Sequence, residues 1–116
     1  MENVNEMRQI IESILTEKAE FYRRINNQKA DENMVELVFD RERDSYVLFN
    51  IAWEKYERTY YPVAHLDIIN GKIWIQKDAT EEGIATDLEN LGVPKDKIVL
   101  AFHSPTLRKY GEYAFA

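Results

Sequence analysis

Hydrophobic and polar residues alternate most clearly between residues 62 and 76, where two apolar-rich runs flank the pair Asn70-Gly71. Asn and Gly tolerate the positive φ that a two-residue hairpin turn requires, so this pair predicts a hairpin. Because side chains alternate between the faces of a strand, setting Ile69 opposite Lys72 divides the hairpin into two faces. One face is aliphatic and is predicted to be buried, with Leu66, Ile68, Ile73 and Ile75. The other is polar with one large aromatic residue, and it carries His65, Asp67, Trp74 and Gln76, with His65 paired to Gln76.

The first quarter of the chain has the period of an amphipathic helix, which we predict over residues 3–27. Its apolar stripe, interrupted at Lys18, is formed by Val4, Met7, Ile11, Ile14, Phe21 and Ile25, and it is widened by Ile10, Leu15 and Tyr22. Glutamates toward the start and Arg23-Arg24 toward the end complement the helix dipole. We expect the stripe to pack on a sheet of the same domain, although its seven-residue spacing also permits a coiled-coil seam with a second subunit. Residues 26–33 have no apolar period and are predicted to form a loop.

Four strands are predicted after this loop, over residues 34–39, 45–53, 59–69 and 72–76. The short polar turns between them imply an antiparallel sheet. In the first strand, one side carries Val35, Leu37 and Phe39. In the second strand, the two faces carry Val47, Phe49, Ile51 and Trp53 on one side, and Tyr46, Leu48 and Asn50 on the other. Pro62 cannot donate to a sheet ladder, so it should lie at a bulge or where its strand lacks a neighbour.

The last third of the chain is predicted to contain a helix, a short strand and a second helix. Asp78-Ala-Thr-Glu81 has the pattern of a capping box. The helix after it would end at Gly92 and Pro94, and its apolar stripe would be Ile84, Ala85, Leu88 and Leu91. Residues 98–102 have the short apolar pattern of a buried strand. A short final helix is predicted from Ser104 and Pro105 to Gly111, carrying Leu107 and Tyr110, and the apolar tail 113–115 should dock on the domain.

These elements predict an α+β fold class. It consists of a long N-terminal helix, an antiparallel meander of about four strands with a short late strand, one central helix and a short C-terminal helix. A chain of 116 residues with 45% hydrophobic content is expected to form a single domain over residues 1–116.

Charge and cysteine content limit the function further. Fifteen Lys and Arg against 21 Asp and Glu give a formal charge of -6, which disfavours independent binding to nucleic acid. The absence of cysteine excludes disulfides, thiolate catalysis and cysteine-ligated metal centres. No signal peptide or apolar run of membrane-spanning length is recognisable, so we expect a cytoplasmic protein with no membrane partner.

Catalytic chemistry has weak support in the sequence. His65 and Asp67 point the same way from one strand and could meet His103 as a two-His, one-carboxylate metal set, but no motif spacing supports this. Ser104 beside His103 lacks a nucleophile elbow and has a competing role as a helix cap. No lysine follows Asp or Glu by two positions, so a common nuclease pattern is absent. The residues therefore favour a binding surface over a reaction. Trp53 and Trp74 are each expected to cover the core more readily than to anchor a partner, and Trp74, on the polar face, is the better candidate for an anchor.

Several stretches of the chain closely resemble the XisI-like family. They are residues 65–76, Thr80-Glu81 with Gly83-Ile84-Ala85, and residues 91–100 with Phe102-His-Ser-Pro105. The resemblance extends to residues 7–11 and covers nearly the whole chain. Members are described as excision controlling factors for the fdxN element, a DNA insertion in cyanobacterial nitrogen-fixation genes. The resemblance implies a small α+β protein that acts with a companion XisH-like protein, so that a separate site-specific recombinase can excise the element.

Together, the residues and the resemblance lead to the hypothesis of an accessory protein that is not an enzyme and needs no cofactor. Its partner would be the XisH-like protein, which resembles a nuclease fold, and DNA would be reached only through that complex. The expected contact surface is the polar face with His65, Asp67, Trp74 and Gln76, or the segment from His103 to Arg108. A homo-oligomer is also compatible with the sequence. Two alternatives stay open: a small-molecule or metal-binding enzyme using His65, Asp67 and His103, and a DNA-binding module.

Overall fold

The computed structural model describes residues 3–25 and 33–116. Its helices are α1 (Val4–Ile25), α2 (Ile84–Asn90) and α3 (Pro105–Arg108), with a single 3-10 turn at Lys95–Lys97. Its strands are β1 (Met34–Asp40), β2 (Ser45–Glu54), β3 (Glu57–Ile69), β4 (Lys72–Asp78) and β5 (Ile98–Leu100). The predicted order of elements is confirmed. The loop predicted at residues 26–33 lies outside the described residues except for Asn33, as do the last two residues predicted for the first helix.

The five strands form one sheet in the order β1-β2-β3-β4-β5. The first four strands pair antiparallel, as predicted from their short connections. Strand β5 instead pairs parallel to β4, because α2 carries the chain back to the end of the sheet from which β4 began. The result is a mixed sheet within an α+β fold. No helix in the described ranges is both long and apolar enough to cross a membrane.

The Asn-Gly hairpin has the predicted turn, with φ of 51° at Asn70 and 77° at Gly71. Ile69 lies opposite Lys72, and the three pairs that follow also match the predicted register. The pair of His65 with Gln76 is wrong, because His65 lies opposite Lys77. A register shift between His65 and Leu66 leaves Gln76 as the extra residue of a β-bulge, and a bulge of this kind has no strong signature in the sequence.

A second irregularity lies at Pro62, as predicted. Leu48 of β2 pairs with Ala64, whereas the next residue, Phe49, pairs with Pro62. The bulge places Pro62 where its missing N–H disturbs the ladder least. A bulge of this kind also increases the local twist of its strand.

The core lies between one face of the sheet and α1. Leu66, Ile73 and Ile75 of the hairpin are fully buried there, which confirms the predicted aliphatic face. The core face of β2 is the one that carries Tyr46 and Leu48, both fully buried. Helix α1 adds Met7, Ile11, Ile14, Leu15 and Ala19.

The predicted apolar stripe of α1 is wrong at its C-terminal end, where Phe21 and Ile25 are exposed. In this half of the helix the buried positions are Leu15, which widens the predicted stripe, and Ala19. Lys18, which interrupts the stripe, pairs with Asp87 of α2 at 3.0 Å. The helix therefore packs within its own domain, as expected.

The capping box predicted at residues 78–81 is wrong in position, since α2 begins only at Ile84 and Gly83 is its N-cap. Asp78 still bonds the first residue of the helix, because its carboxylate accepts hydrogen bonds from Ile84 N at 2.7 Å and from Thr80 N at 2.9 Å. Glu81 precedes the helix and does not occupy the third position that a capping box requires. Gly83, with φ of 89°, makes the turn that displaces the helix start.

The C-terminal segment docks on the domain, as the apolar tail predicts. Ser104 caps α3 by accepting from Leu107 N at 3.3 Å. Tyr113 packs against the core, and Ala114 donates its N–H to Ile98 O at 2.9 Å beside β5. Leu107 and Tyr110 both remain exposed, so α3 contributes little to the core.

Candidate binding surfaces

Both α1 and α2 pack on one side of the sheet, and the opposite side is called the outer face below. Its members follow from the register, because residues directly opposite each other on paired strands point to the same side. They include Met34, Glu36, Val38 and Asp40 on β1; Ser45, Val47, Phe49, Ile51 and Trp53 on β2; Arg58, Tyr60, Pro62, His65, Asp67 and Ile69 on β3; and Lys72 and Trp74 on β4. The unpaired Gln76 is placed on the same face by its hydrogen bond to Asp67. All four hairpin residues of the predicted polar face lie on this side.

The polar part of the outer face is a hydrogen-bonded cluster centred on Asp67. Ser45 Oγ donates to Asp67 Oδ1, and His65 Nε2 lies 3.0 Å from the same oxygen. Gln76 Nε2 donates to Asp67 Oδ2 at 3.1 Å, so both carboxylate oxygens are engaged. The structure thus brings three of the predicted site residues together and adds Ser45, which the sequence analysis missed.

Ser, His and Asp are the residue types of a hydrolytic triad, but their atoms are not arranged as one. A triad uses one ring nitrogen of histidine toward the serine and the other toward the carboxylate. Here the same nitrogen, His65 Nε2, lies 3.5 Å from Ser45 Oγ and 3.0 Å from Asp67 Oδ1. The Ser45 hydroxyl donates its hydrogen bond to the carboxylate, so it is not poised as a nucleophile toward His65. The cluster suits recognition by hydrogen bonds.

His103 does not join this cluster. Within residues 3–25 and 33–116, no group of three or more His, Asp or Glu side chains is placed to hold a metal ion. Two grooves of about 460 and 490 Å³ lie along α1, and neither is lined by His65, Asp67 or His103. Neither groove therefore brings the three residues of the predicted metal set together.

Arg108 and Trp74 interact with each other, at 5.3 Å between the guanidinium carbon and the ring centre. The same guanidinium donates to four carbonyl oxygens, those of Leu100, Ala101, His103 and Phe115, at 3.0 to 3.3 Å. Arginine fits this role because its five N–H donors are fixed in one plane. Both residues belong to the predicted partner-binding surface, and in this structure they hold the C-terminal segment onto β4.

The segment held by Arg108 carries four exposed apolar side chains, which are together called the C-terminal ridge below. Its members are Phe102, Leu107, Tyr110 and Phe115, of which Leu107 is 58% and Tyr110 82% exposed. The ring of His103 lies edge-on to Phe102, with 4.7 Å between ring centres. His103 therefore belongs to this ridge and not to the polar cluster.

The other half of the outer face is apolar, and the sequence analysis missed it. This apolar half comprises Met34, Val38, Val47, Phe49, Ile51, Trp53 and Tyr60. Ile51 is 6% exposed, yet it lies outside the main core cluster. The alternation of β2 contained the signal, because both of its faces are apolar and only one can meet α1.

Comparison with known proteins identifies close structural relatives. A family model described as "XisI protein" matches residues 1–115. The crystal structure of a XisI-like protein from Anabaena variabilis superposes with a TM-score of 0.87 at 32% identity, covering 98% of this chain and 100% of that chain. The crystal structure of fdxN element excision controlling factor XisI from the same organism gives a TM-score of 0.79 at 31% identity, covering 97% of each chain. No curated protein matches the chain.

Proposed function

Because this chain belongs to the XisI family, we propose that it is an accessory protein that controls the excision of a DNA element. The observation that carries the proposal is the likeness to an excision controlling factor over 97% of both chains at 31% identity. In this role the chain permits excision, and a separate recombinase cuts and rejoins the DNA. The role places it in the cytoplasm, where the element and the recombinase are.

A non-catalytic role is supported by the chemistry of the outer face. The carboxylate of Asp67 is occupied by Ser45, His65 and Gln76, which leaves no free base beside a nucleophile. The formal charge of -6 opposes close approach to the DNA backbone. Contact with DNA is therefore assigned to a complex in which the partner supplies the cationic surface.

The partner we propose is an XisH-like protein with a nuclease fold, and its docking site is the C-terminal ridge. Exposed aromatic and aliphatic side chains on a rigid support gain most from being buried, and Arg108 supplies that support. The Asp67 cluster would gain less, because its polar groups already bond to each other. Tyr110 is the most exposed of these side chains, and Leu107, three residues before it, is 58% exposed; these two are the expected anchors.

Titration calorimetry with the purified XisH-like protein tests this docking site. We expect micromolar or tighter binding, weakened about tenfold or more by Tyr110→Ala or Leu107→Ala. Tyr56→Ala is the matched control, because Tyr56 is 96% exposed in the β2–β3 turn, away from the ridge. Equal losses in the Tyr56 and Tyr110 variants would remove the ridge as the docking site, and no binding at all would remove the partner.

The competing enzyme and DNA-binding functions predict different results with the same protein. An enzyme using His65, Asp67 and His103 would retain stoichiometric metal after purification, or would lose a measurable turnover in His65→Ala. A DNA-binding module would bind element-end DNA alone with an affinity that falls steeply with salt. The accessory role predicts neither behaviour.

A further inference from the structure

The apolar half of the outer face is arranged around one residue. Ile51 lies in the middle strand of three, with Met34 opposite it on β1 and Tyr60 opposite it on β3. The rings of Phe49 and Tyr60 are 5.8 Å apart, and Met34, Trp53 and Tyr60 are all exposed. Apolar groups that are contiguous on a sheet surface and left in water typically mark a contact with another protein.

Two charged residues of opposite sign flank this patch. Glu36 lies on β1 opposite Phe49, and Arg58 lies on β3 opposite Trp53, so they fall on opposite sides of Ile51. Arg58 rests on the aromatic residues, with its guanidinium carbon 5.7 Å from the Trp53 ring centre and 5.9 Å from that of Tyr60. In the part of the chain that the structure describes, neither Glu36 nor Arg58 forms an ion pair.

We infer that the apolar half of the outer face binds a second copy of this chain in a symmetric dimer. In a two-fold interface the same patch meets itself, so a patch with one acidic and one basic flank is complementary to its own copy. A two-fold axis that lies in the plane of the interface, passes over Ile51 and runs perpendicular to the line from Glu36 to Arg58 sets Glu36 against the partner subunit's Arg58. The reverse pair follows by symmetry. The apolar side chains between the two pairs are then excluded from water.

The size of the patch sets the strength of the dimer. It is three strands wide and spans residues 47–53 of β2, so it measures roughly 10 Å by 20 Å between backbone positions. This is smaller than the area of about 800 Å² per partner that stable complexes bury. We therefore expect a reversible dimer with a micromolar dissociation constant, in which the two charge pairs also fix the orientation.

Sedimentation equilibrium over a range of protein concentrations tests the dimer and its charge pairs. Wild-type protein is expected to dimerise, and Glu36→Arg or Arg58→Glu should each weaken the dimer at least about tenfold. The double variant Glu36→Arg with Arg58→Glu exchanges the two charges, so it should recover most of the wild-type affinity. Glu42→Arg and Lys109→Glu make the same charge changes at exposed positions off the outer face and should leave the dimer intact.

Three outcomes overturn the inference. They are a wild-type protein that is monomeric at all concentrations, a dimer that neither charge reversal weakens, and a double variant no better than the weaker single variant. Both substituted side chains are exposed, and an unchanged melting temperature verifies that the variants are folded. The inference is independent of the proposed partner, because Tyr110→Ala should leave the dimerisation constant unchanged.

Discussion

At the scale of one residue, the side chain of Asp44 links two parts of the chain that are distant in sequence. It lies in the β1–β2 turn with φ of 56°, and its carboxylate accepts hydrogen bonds from Arg8 Nε at 2.6 Å and from Arg8 Nη2 at 3.1 Å. Tyr46 Oη donates to the same group at 3.0 Å. The hydrogen bond from Arg8 lowers the pKa of Asp44, and burial, followed by the bond to Asp44, raises the pKa of Tyr46 to about 12. Only a charged turn could be predicted here from the sequence, because nothing in it links residue 8 to residue 44.

Asp44→Asn is expected to lower the melting temperature at neutral pH by several degrees, since it removes the charge that Arg8 bonds. The folded-state pKa of Asp44 lies below its ordinary value of 3.8. Its contribution to stability is therefore complete above that value and is lost as the pH falls toward the lowered pKa. The difference between variant and wild type should shrink on acidification in thermal melts. A constant difference, or an equal loss in the exposed control Asp96→Asn, would contradict the assignment.

At the scale of an element, the end of α2 could be predicted from the sequence and its start could not. Its end was predictable, because Gly92 has φ of 100° and its N–H bonds Glu89 O at 3.0 Å, while Val93 N bonds Leu88 O at 3.0 Å. This is the Schellman motif that a glycine after the last turn predicts. Its start was not predictable, because Asp78 caps Ile84 across a non-helical turn of five residues that resembles a capping box in sequence.

Gly92→Ala is expected to destabilise the protein by about 1 kcal/mol in urea unfolding, because a Cβ disfavours positive φ. No atom lies within 4 Å of that Cβ, so strain in the backbone is the only cost. Gly111→Ala is the matched control, since Gly111 lacks a positive φ and its added Cβ would meet only Arg108 O at 3.9 Å. Equal effects of the two substitutions would contradict this account.

Arg108 organises the C-terminal segment in a way that sequence reasoning did not foresee. It was predicted as a partner contact, and the structure adds a role within the chain, since its guanidinium bonds four carbonyls and lies over Trp74. Arg108→Ala should speed hydrogen exchange at Ala114 N, which bonds Ile98 O, while leaving exchange in α1 unchanged. Arg108→Lys should restore little, because an ammonium group cannot reproduce the planar set of donors. Unchanged exchange at Ala114 would show that the segment is held by other contacts.

At the scale of the whole molecule, the order of elements and the face of each hairpin strand followed from periodicity and turn residues. The bulge beside Pro62 was predicted only because proline cannot donate to a sheet ladder, and the bulge beside His65 was not predicted. The choice of core face in β2 also required the fold, because Val47, Phe49 and Ile51 are as apolar as Tyr46 and Leu48. The apolar half of the outer face was missed for that reason, although it follows directly from the position of α1.

Excision of a reporter element tests the central claim most directly, in cells that supply the recombinase and the XisH-like protein. If the chain acts by docking through the C-terminal ridge, the variant with Leu107→Ala and Tyr110→Ala should lose most excision. The variant with His65→Ala and Asp67→Asn should retain most of it, provided that both proteins accumulate to wild-type levels. Loss of excision in the His65 and Asp67 variant, with full activity in the ridge variant, would contradict docking through the C-terminal ridge and place the functional surface at the polar cluster.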